Sequence, residues 1–104
     1  MSGEQEWRDV CGYGGIYLGL YQVSNDGCVR RVKGGKGTKA GRVLKGTIGN
    51  RGYRTVSLSA DGTQNTRSIH RLVAEAFLEN PDGNDEVDHI DRDKLNNNSS
   101  NLRW

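Results

Sequence analysis

Val87-Asp88-His89-Ile90-Asp91, running through Asn96-Asn97 to Asn101-Leu102-Arg103-Trp104, decides how the rest of the chain is read. A carboxylate beside an imidazole is followed by a loop of asparagines and then by Asn-Leu-Arg-Trp. Asparagine tolerates left-handed backbone and caps turns, so Asn96 and Asn97 predict the turn of a short β-hairpin. Side chains alternate along a strand, so Asp88 and His89 point to opposite faces unless the backbone bends there. A bend that turned both toward one point would set a metal ligand beside a general base. That pairing suits hydrolysis of a phosphodiester, with a divalent ion on the phosphate and an imidazole taking a proton from water.

Upstream of this stretch, Ile69, Leu72, Val73, Ala76 and Phe77 recur at i, i+3, i+4, i+7 and i+8. That spacing gives one apolar stripe and predicts a helix over 68–79, with Ser68 as its cap and Pro81-Asp82-Gly83 as its stop. His70 at the edge of the stripe is expected to be a packed histidine hydrogen-bonded to a neighbouring sheet. Arg71 falls on the polar face, available to a phosphate. In Tyr53 to Ser59 the residues alternate, with Arg54, Val56 and Leu58 on one face. This is a strand with its apolar pair inward and Arg54 at the rim. Asp61-Gly62 turns the chain back into a strand from Thr63 to Arg67. Arg42-Val43-Leu44-Lys45 reads as a further short strand.

The first third of the chain carries a different pattern. Trp7-Arg8-Asp9-Val10 and Leu20-Tyr21-Gln22-Val23-Ser24 are β-prone, and Asn25-Asp26-Gly27 separates the second from Cys28-Val29-Arg30-Arg31-Val32. This is a hairpin with basic residues on its return strand. Gly34 to Gly41 holds Lys36 and Lys39 among glycines and predicts a mobile loop that buries nothing.

Charge is divided along the chain. The net value is only +2, but residues 27–60 hold Arg30, Arg31, Lys33, Lys36, Lys39, Arg42, Lys45, Arg51 and Arg54 with no acid. Residues 75–93 hold eight acids against Arg92 alone. A basic arm joined to an acidic, metal-suited end fits a protein that grips phosphate with one part and works on it with another. With 104 residues, 15 glycines and 33% hydrophobic residues, the core cannot be large. Cys11 and Cys28 form no C-x-x-C pair, which argues against zinc. A polar, acidic N-terminus and the lack of a long apolar run predict no signal peptide and no membrane segment. The expected setting is intracellular and cytoplasmic.

The segment from His70 to Trp104 resembles the HNH (His-Me finger) homing endonucleases of phages and mobile introns. The residues that carry the likeness are Ile69-His70-Arg71-Leu72-Val73-Ala74 with Ala76-Phe77 and Asn80-Pro81, then Asp88-His89-Ile90-Asp91, Lys94-Leu95-Asn96-Asn97 and Asn101-Leu102-Arg103-Trp104. Upstream, the Trp, Gly-Tyr, Tyr-Gln-Val-Ser-Asn and Gly-Cys-Val-Arg landmarks resemble a nuclease-associated DNA-binding module, with Ile16 to Gly19 looking like an insertion. The resemblance implies His89 as general base, Asp88 as ligand to Mg²⁺ or Mn²⁺, and Asn101 as the residue whose amide fixes the loop and thus His89. Asp91 is a candidate acceptor for His89. Two departures stand out. Arg92 occupies the position after Ile-Asp where the family usually has Gly, and the family's metal-ligand helix would follow Trp104.

These readings define an α+β fold: antiparallel β-hairpins, one central helix, and a C-terminal hairpin of the ββα-metal type lacking its final helix. The expected division is a DNA-binding hairpin module over 1–60 and a nuclease-like module over 61–104. Arg30, Arg31, Lys33, Arg42, Lys45, Arg51 and Arg54 are the expected contacts to double-stranded DNA. A homo-oligomer or a partner chain would be one source of the absent helix. A catalytically inactive DNA-binding or regulatory protein on the same scaffold is the alternative. A third reading is an interaction protein whose acidic end mimics nucleic acid.

Overall fold

The computed structural model describes residues 4–33 and 41–104. The glycine-rich stretch with Lys36 and Lys39 therefore lies outside the described residues. Nine short strands and one α-helix make a mixed, antiparallel fold among them: β1 (Trp7–Asp9), β2 (Tyr21–Ser24), β3 (Val29–Arg31), β4 (Val43–Leu44), β5 (Thr47–Ile48), β6 (Arg54–Ala60), β7 (Thr63–Ser68), α1 (Ile69–Phe77), β8 (Asp88–His89) and β9 (Leu102–Arg103). They form a four-stranded sheet β1-β2-β3-β4, a three-stranded sheet β5-β6-β7 and a two-stranded sheet β8-β9. The class is α+β, as the periodicities predict.

Alternation builds the first sheet. Val23 and Val29 face each other across the β2–β3 pair and are fully buried, while Gln22 faces Arg30 on the other side. The turn between them needs Gly27, whose φ is +91°. In β6, Val56 and Leu58 point inward and Arg54 sits at the rim, donating to the Lys45 carbonyl at 3.1 Å. Tyr21 ties the two sheets together. Its hydroxyl accepts from the Ser59 backbone N–H at 3.0 Å and from Arg31 Nη1 at 2.7 Å.

The helix lies where the apolar stripe predicts. Ile69, Leu72 and Val73 are buried, with Ala76 and Phe77 packed at the margin. Ala74 is buried as well, because β1 and β9 also touch the helix. Ser68 occupies the cap position but makes no capping bond. It is still the last residue of β7, paired with Thr55, and the strand feeds the helix directly. The Ile16–Gly19 stretch supplies a core residue: Tyr17 is wholly buried between Tyr13 and Tyr21, each ring edge-on at 5.9 Å.

One apolar cluster runs from Val10 through Val23, Val29, Leu58 and Leu72 to Leu102. The point between residues 60 and 61 is the tip of the β6–β7 hairpin, whose strands pair from Thr55↔Ser68 to Ala60↔Thr63. The stretches on either side share a single core. Fully burying side chains of this size contributes about 1.5–3 kcal/mol each, the main term holding so small a fold together.

Candidate nuclease site

The β8–β9 pair carries the site. Asp88 lies opposite Arg103 and His89 opposite Leu102. The strand stays regular, so Asp88 is exposed and His89 is only 5% exposed. The bend that would have turned both the same way is absent. They nevertheless border one pocket of about 200 Å³, whose other walls are Tyr53, Val87, Arg92 and Lys94.

His89 is held from two directions. Its Nε2 lies 2.8 Å from Oδ1 of buried Asn97. A carbonyl oxygen only accepts, so Nε2 carries the hydrogen and Nδ1 keeps the lone pair. Tyr53 stacks near the ring with centroids 5.8 Å apart, and His70 lies 5.0 Å away, itself stacked on Tyr53 at 4.7 Å. The acceptor is thus Asn97 rather than Asp91. Asn97 carried a turn signal in the sequence, and nothing in its spacing distinguished it from its neighbour Asn96.

Asp91 is engaged elsewhere. It accepts from Asn96 Nδ2 at 2.8 Å, from the Asp93 N–H at 2.8 Å and from Asn101 Nδ2 at 2.9 Å. These bonds, that from Asn96 foremost, hold its carboxyl below the usual carboxylate range. Buried Asn101 also donates to the Asn96 carbonyl at 2.9 Å and accepts from the Asp91 N–H at 3.1 Å. Its amide spans the loop between Asp91 and Asn96, with no direct bond to His89.

His70 differs from its expectation. It stacks instead of hydrogen-bonding to the sheet, and its Nδ1 is buried without a partner. Burial, reinforced by His89 and then Arg71 nearby, lowers its pKa from 6.5 to about 4, so the ring is neutral at pH 7. Arg71 is likewise committed, donating to the Asp85 carbonyl at 2.6 Å and lying 3.6 Å from Glu75.

The carboxylate of Asp88 meets Arg103 through Oδ2 alone, at 3.0 Å from Nη2 and 3.2 Å from Nε. Both side chains are more than half exposed, so this pair is worth about 0–1 kcal/mol and gives way readily to a cation. Among the described residues no group of three or more His, Cys, Asp or Glu is disposed to hold a metal. One hard oxygen donor fits a divalent ion that takes most of its shell from water and phosphate oxygens.

The seven basic candidates separate by environment. Arg30 lies over Trp7 at 4.0 Å and donates to Gln22 Oε1 at 3.0 and 2.6 Å. Arg31 is spent on Tyr21 and the Lys33 carbonyl, and Arg54 on the Lys45 carbonyl. Lys33, Arg42, Lys45 and Arg51 are exposed, and their side chains make no hydrogen bond among the described residues. Arg42 and Lys45 border a groove that Thr47, Thr55, Ser57 and Thr66 line with hydroxyls.

A β-hairpin sheet leading into a helix and a His-bearing two-stranded hairpin is the arrangement of one nuclease class. Residues 5–59 match the NUMOD4 motif and residues 67–104 match the HNH endonuclease family, and the chain belongs to this NUMOD4-bearing HNH family. Among individual proteins, it is similar to the DNA endonuclease I-HmuI of Bacillus phage SP01, 43% identical over 95% of this chain and 51% of the relative. It is also 39% identical to the uncharacterized HNH endonuclease L245 of Acanthamoeba polyphaga mimivirus, over 95% of this chain and 26% of that protein. A solved structure on DNA binding and cleavage by the HNH homing endonuclease I-HmuI superimposes with a TM-score of 0.78 at 42% identity, over 95% of this chain and 51% of that one. The chain thus spans about half the length of I-HmuI and a quarter of the mimivirus protein. The HNH endonuclease family generally uses divalent metal ions. No helix among the described residues is long and apolar enough to cross a membrane.

Proposed function

We propose that this chain hydrolyses phosphodiester bonds of double-stranded DNA, with His89 as general base. The observation that carries the reading is the bond between His89 Nε2 and Asn97, which leaves Nδ1 as the ring's only lone pair in a pocket shared with Asp88. Water attacks phosphorus in line with the leaving 3′-oxygen, and Nδ1 takes the proton of that water. Asp88 is the ligand for Mg²⁺ or Mn²⁺, since a hard carboxylate oxygen suits either ion. When bound there, the ion supplies positive charge to the phosphate and to the leaving oxygen. Asn97 and the Tyr53–His70 stack orient the imidazole, and Asn101 keeps the loop that presents Asn97 in shape.

Residues 1–60 are the part that grips DNA, and residues 61–104 the part that cuts. Lys33, Arg42, Lys45 and Arg51 contact phosphates, since nothing else in the described structure occupies them. Arg30 and Gln22, bonded to each other on the face of the sheet, reach base edges in the major groove by exchanging that bond for contacts to the bases. Arg31 and Arg54 act on DNA only through the strands that they brace.

Nicking of supercoiled plasmid with Mg²⁺ or Mn²⁺, against EDTA and against Asp88→Asn, tests this. The proposal expects nicking that EDTA abolishes and Asp88→Asn cuts by about a hundredfold or more. Tight binding without any nicking would instead favour a DNA-binding protein with no cleavage of its own.

A further inference from the structure

Arg92 has a φ of 66°, the left-handed region that costs any residue with a side chain and that glycine enters freely. A residue held in that conformation invites a functional explanation. Arg92 lines the pocket of His89 and Asp88, and so does Lys94. Lys94 is placed by two contacts: its Nζ donates to the Arg51 carbonyl at 2.7 Å and sits 4.8 Å from the centre of the Tyr53 ring.

The charges around the pocket are unevenly committed. Asp88 is paired with Arg103, Asp91 accepts three hydrogen bonds, and Asp93 accepts from the Leu95 N–H. Neither Arg92 nor Lys94 pairs with an acid among the described residues. Two cations without carboxylate partners among the described residues thus border a small pocket whose one lining acid, Asp88, is paired with Arg103. That is the electrostatic arrangement that receives an anion.

We propose that Arg92 and Lys94 form a phosphate-binding wall of the His89 pocket, holding the non-bridging oxygens of the DNA phosphodiester. The inference rests on the nuclease reading given above. Arginine presents a planar fork to two oxygens, and Lys94 adds a point charge fixed by the Arg51–Tyr53 turn. The negative charge that grows on those oxygens during attack is stabilised by cations already in place.

Arg92→Gly is a decisive variant, because glycine suits the backbone there and leaves the fold intact. Lys94→Met keeps the aliphatic stem against Tyr53. In the full chain at constant ionic strength, inorganic phosphate is titrated while the Arg92 Nε–H and His89 ring signals are followed by NMR. Saturable shifts are expected, weakened by about tenfold in either variant, since a charge-assisted contact is lost. Shifts that are absent, or equal in the variants, overturn the proposal. Single-turnover plasmid cleavage at saturating protein is expected to slow by about a hundredfold in Arg92→Gly. An unchanged rate also overturns it. If phosphate saturates through Arg92 and Lys94 while His89→Ala cleaves as fast as the wild type, the anion site stands and the assignment of His89 falls.

Discussion

At the residue scale, Asn97 and His70 matter most after His89 itself. Asn97→Ala leaves Nε2 of a buried imidazole without an acceptor. We expect a loss of about 1–3 kcal/mol in urea unfolding, together with slower cleavage as the ring loses its tautomer preference. His70 gives a pH signature. Its folded pKa of about 4 lies below its ordinary 6.5, so the unfolded chain takes up its proton first as pH falls. The neutral, folded ring therefore contributes stability that is fully present above 6.5 and is lost as pH falls from 6.5 through 4. Thermal unfolding across that window should show a steeper decline in the wild type than in His70→Phe, which stacks on Tyr53 but cannot titrate. Equal slopes would show that His70 does not titrate in this window. The sequence pointed to His89 and Asp88 through their neighbours, and the fold sets both on one pocket. It could not single out Asn97, because turn-forming and histidine-orienting asparagines look alike until the loop closes.

At the scale of elements, the hairpin turn of the first sheet presses on the loop that carries Asn97. A Cβ added to Gly27 would stand 2.8 Å from Asn97 Cβ and 3.3 Å from its carbonyl oxygen, on a backbone with φ of +91°. Close by, the Ser99 N–H donates to the Asn25 carbonyl at 2.7 Å. Gly27→Ala should therefore cost about 1–3 kcal/mol and also slow cleavage, since the displaced residue is the one that orients His89. Unfolding and single-turnover rates measured together check this; a stability loss with an unaltered rate would separate the turn from the site. The strands β2, β3, β6 and β7 and helix α1 were readable from period and turn residues. The two-residue β5 was not, being too short for any period to show. Nor was the contact between Gly27 and Asn97, which joins residues 70 positions apart.

At the scale of the molecule, one continuous core joins the four-stranded sheet to the β8–β9 pair. Arg31 illustrates the consequence. Its bond to Tyr21, whose hydroxyl also holds Ser59, makes it a brace between sheets. Arg31→Ala should lower stability by about 0.5–1.5 kcal/mol. By contrast, Arg42→Ala and Lys45→Ala should leave stability unchanged and each flatten the salt dependence of DNA binding by about one ion. Binding isotherms from low to high salt, set beside urea titrations, distinguish the two kinds of residue. A one-sided basic stretch was plain in the sequence, but which of its members were already spoken for depended on partners brought in by the fold.

Everything proposed for this chain turns on His89 as the base of a phosphodiester-hydrolysing site. Its most direct test is the single-turnover rate of DNA cleavage by His89→Ala under saturating protein and divalent metal. The expected fall is about 10²–10⁴-fold, the usual contribution of a general base, with DNA affinity kept and the variant confirmed folded by urea unfolding, since it loses the bond to Asn97. Cleavage at the wild-type rate would contradict it.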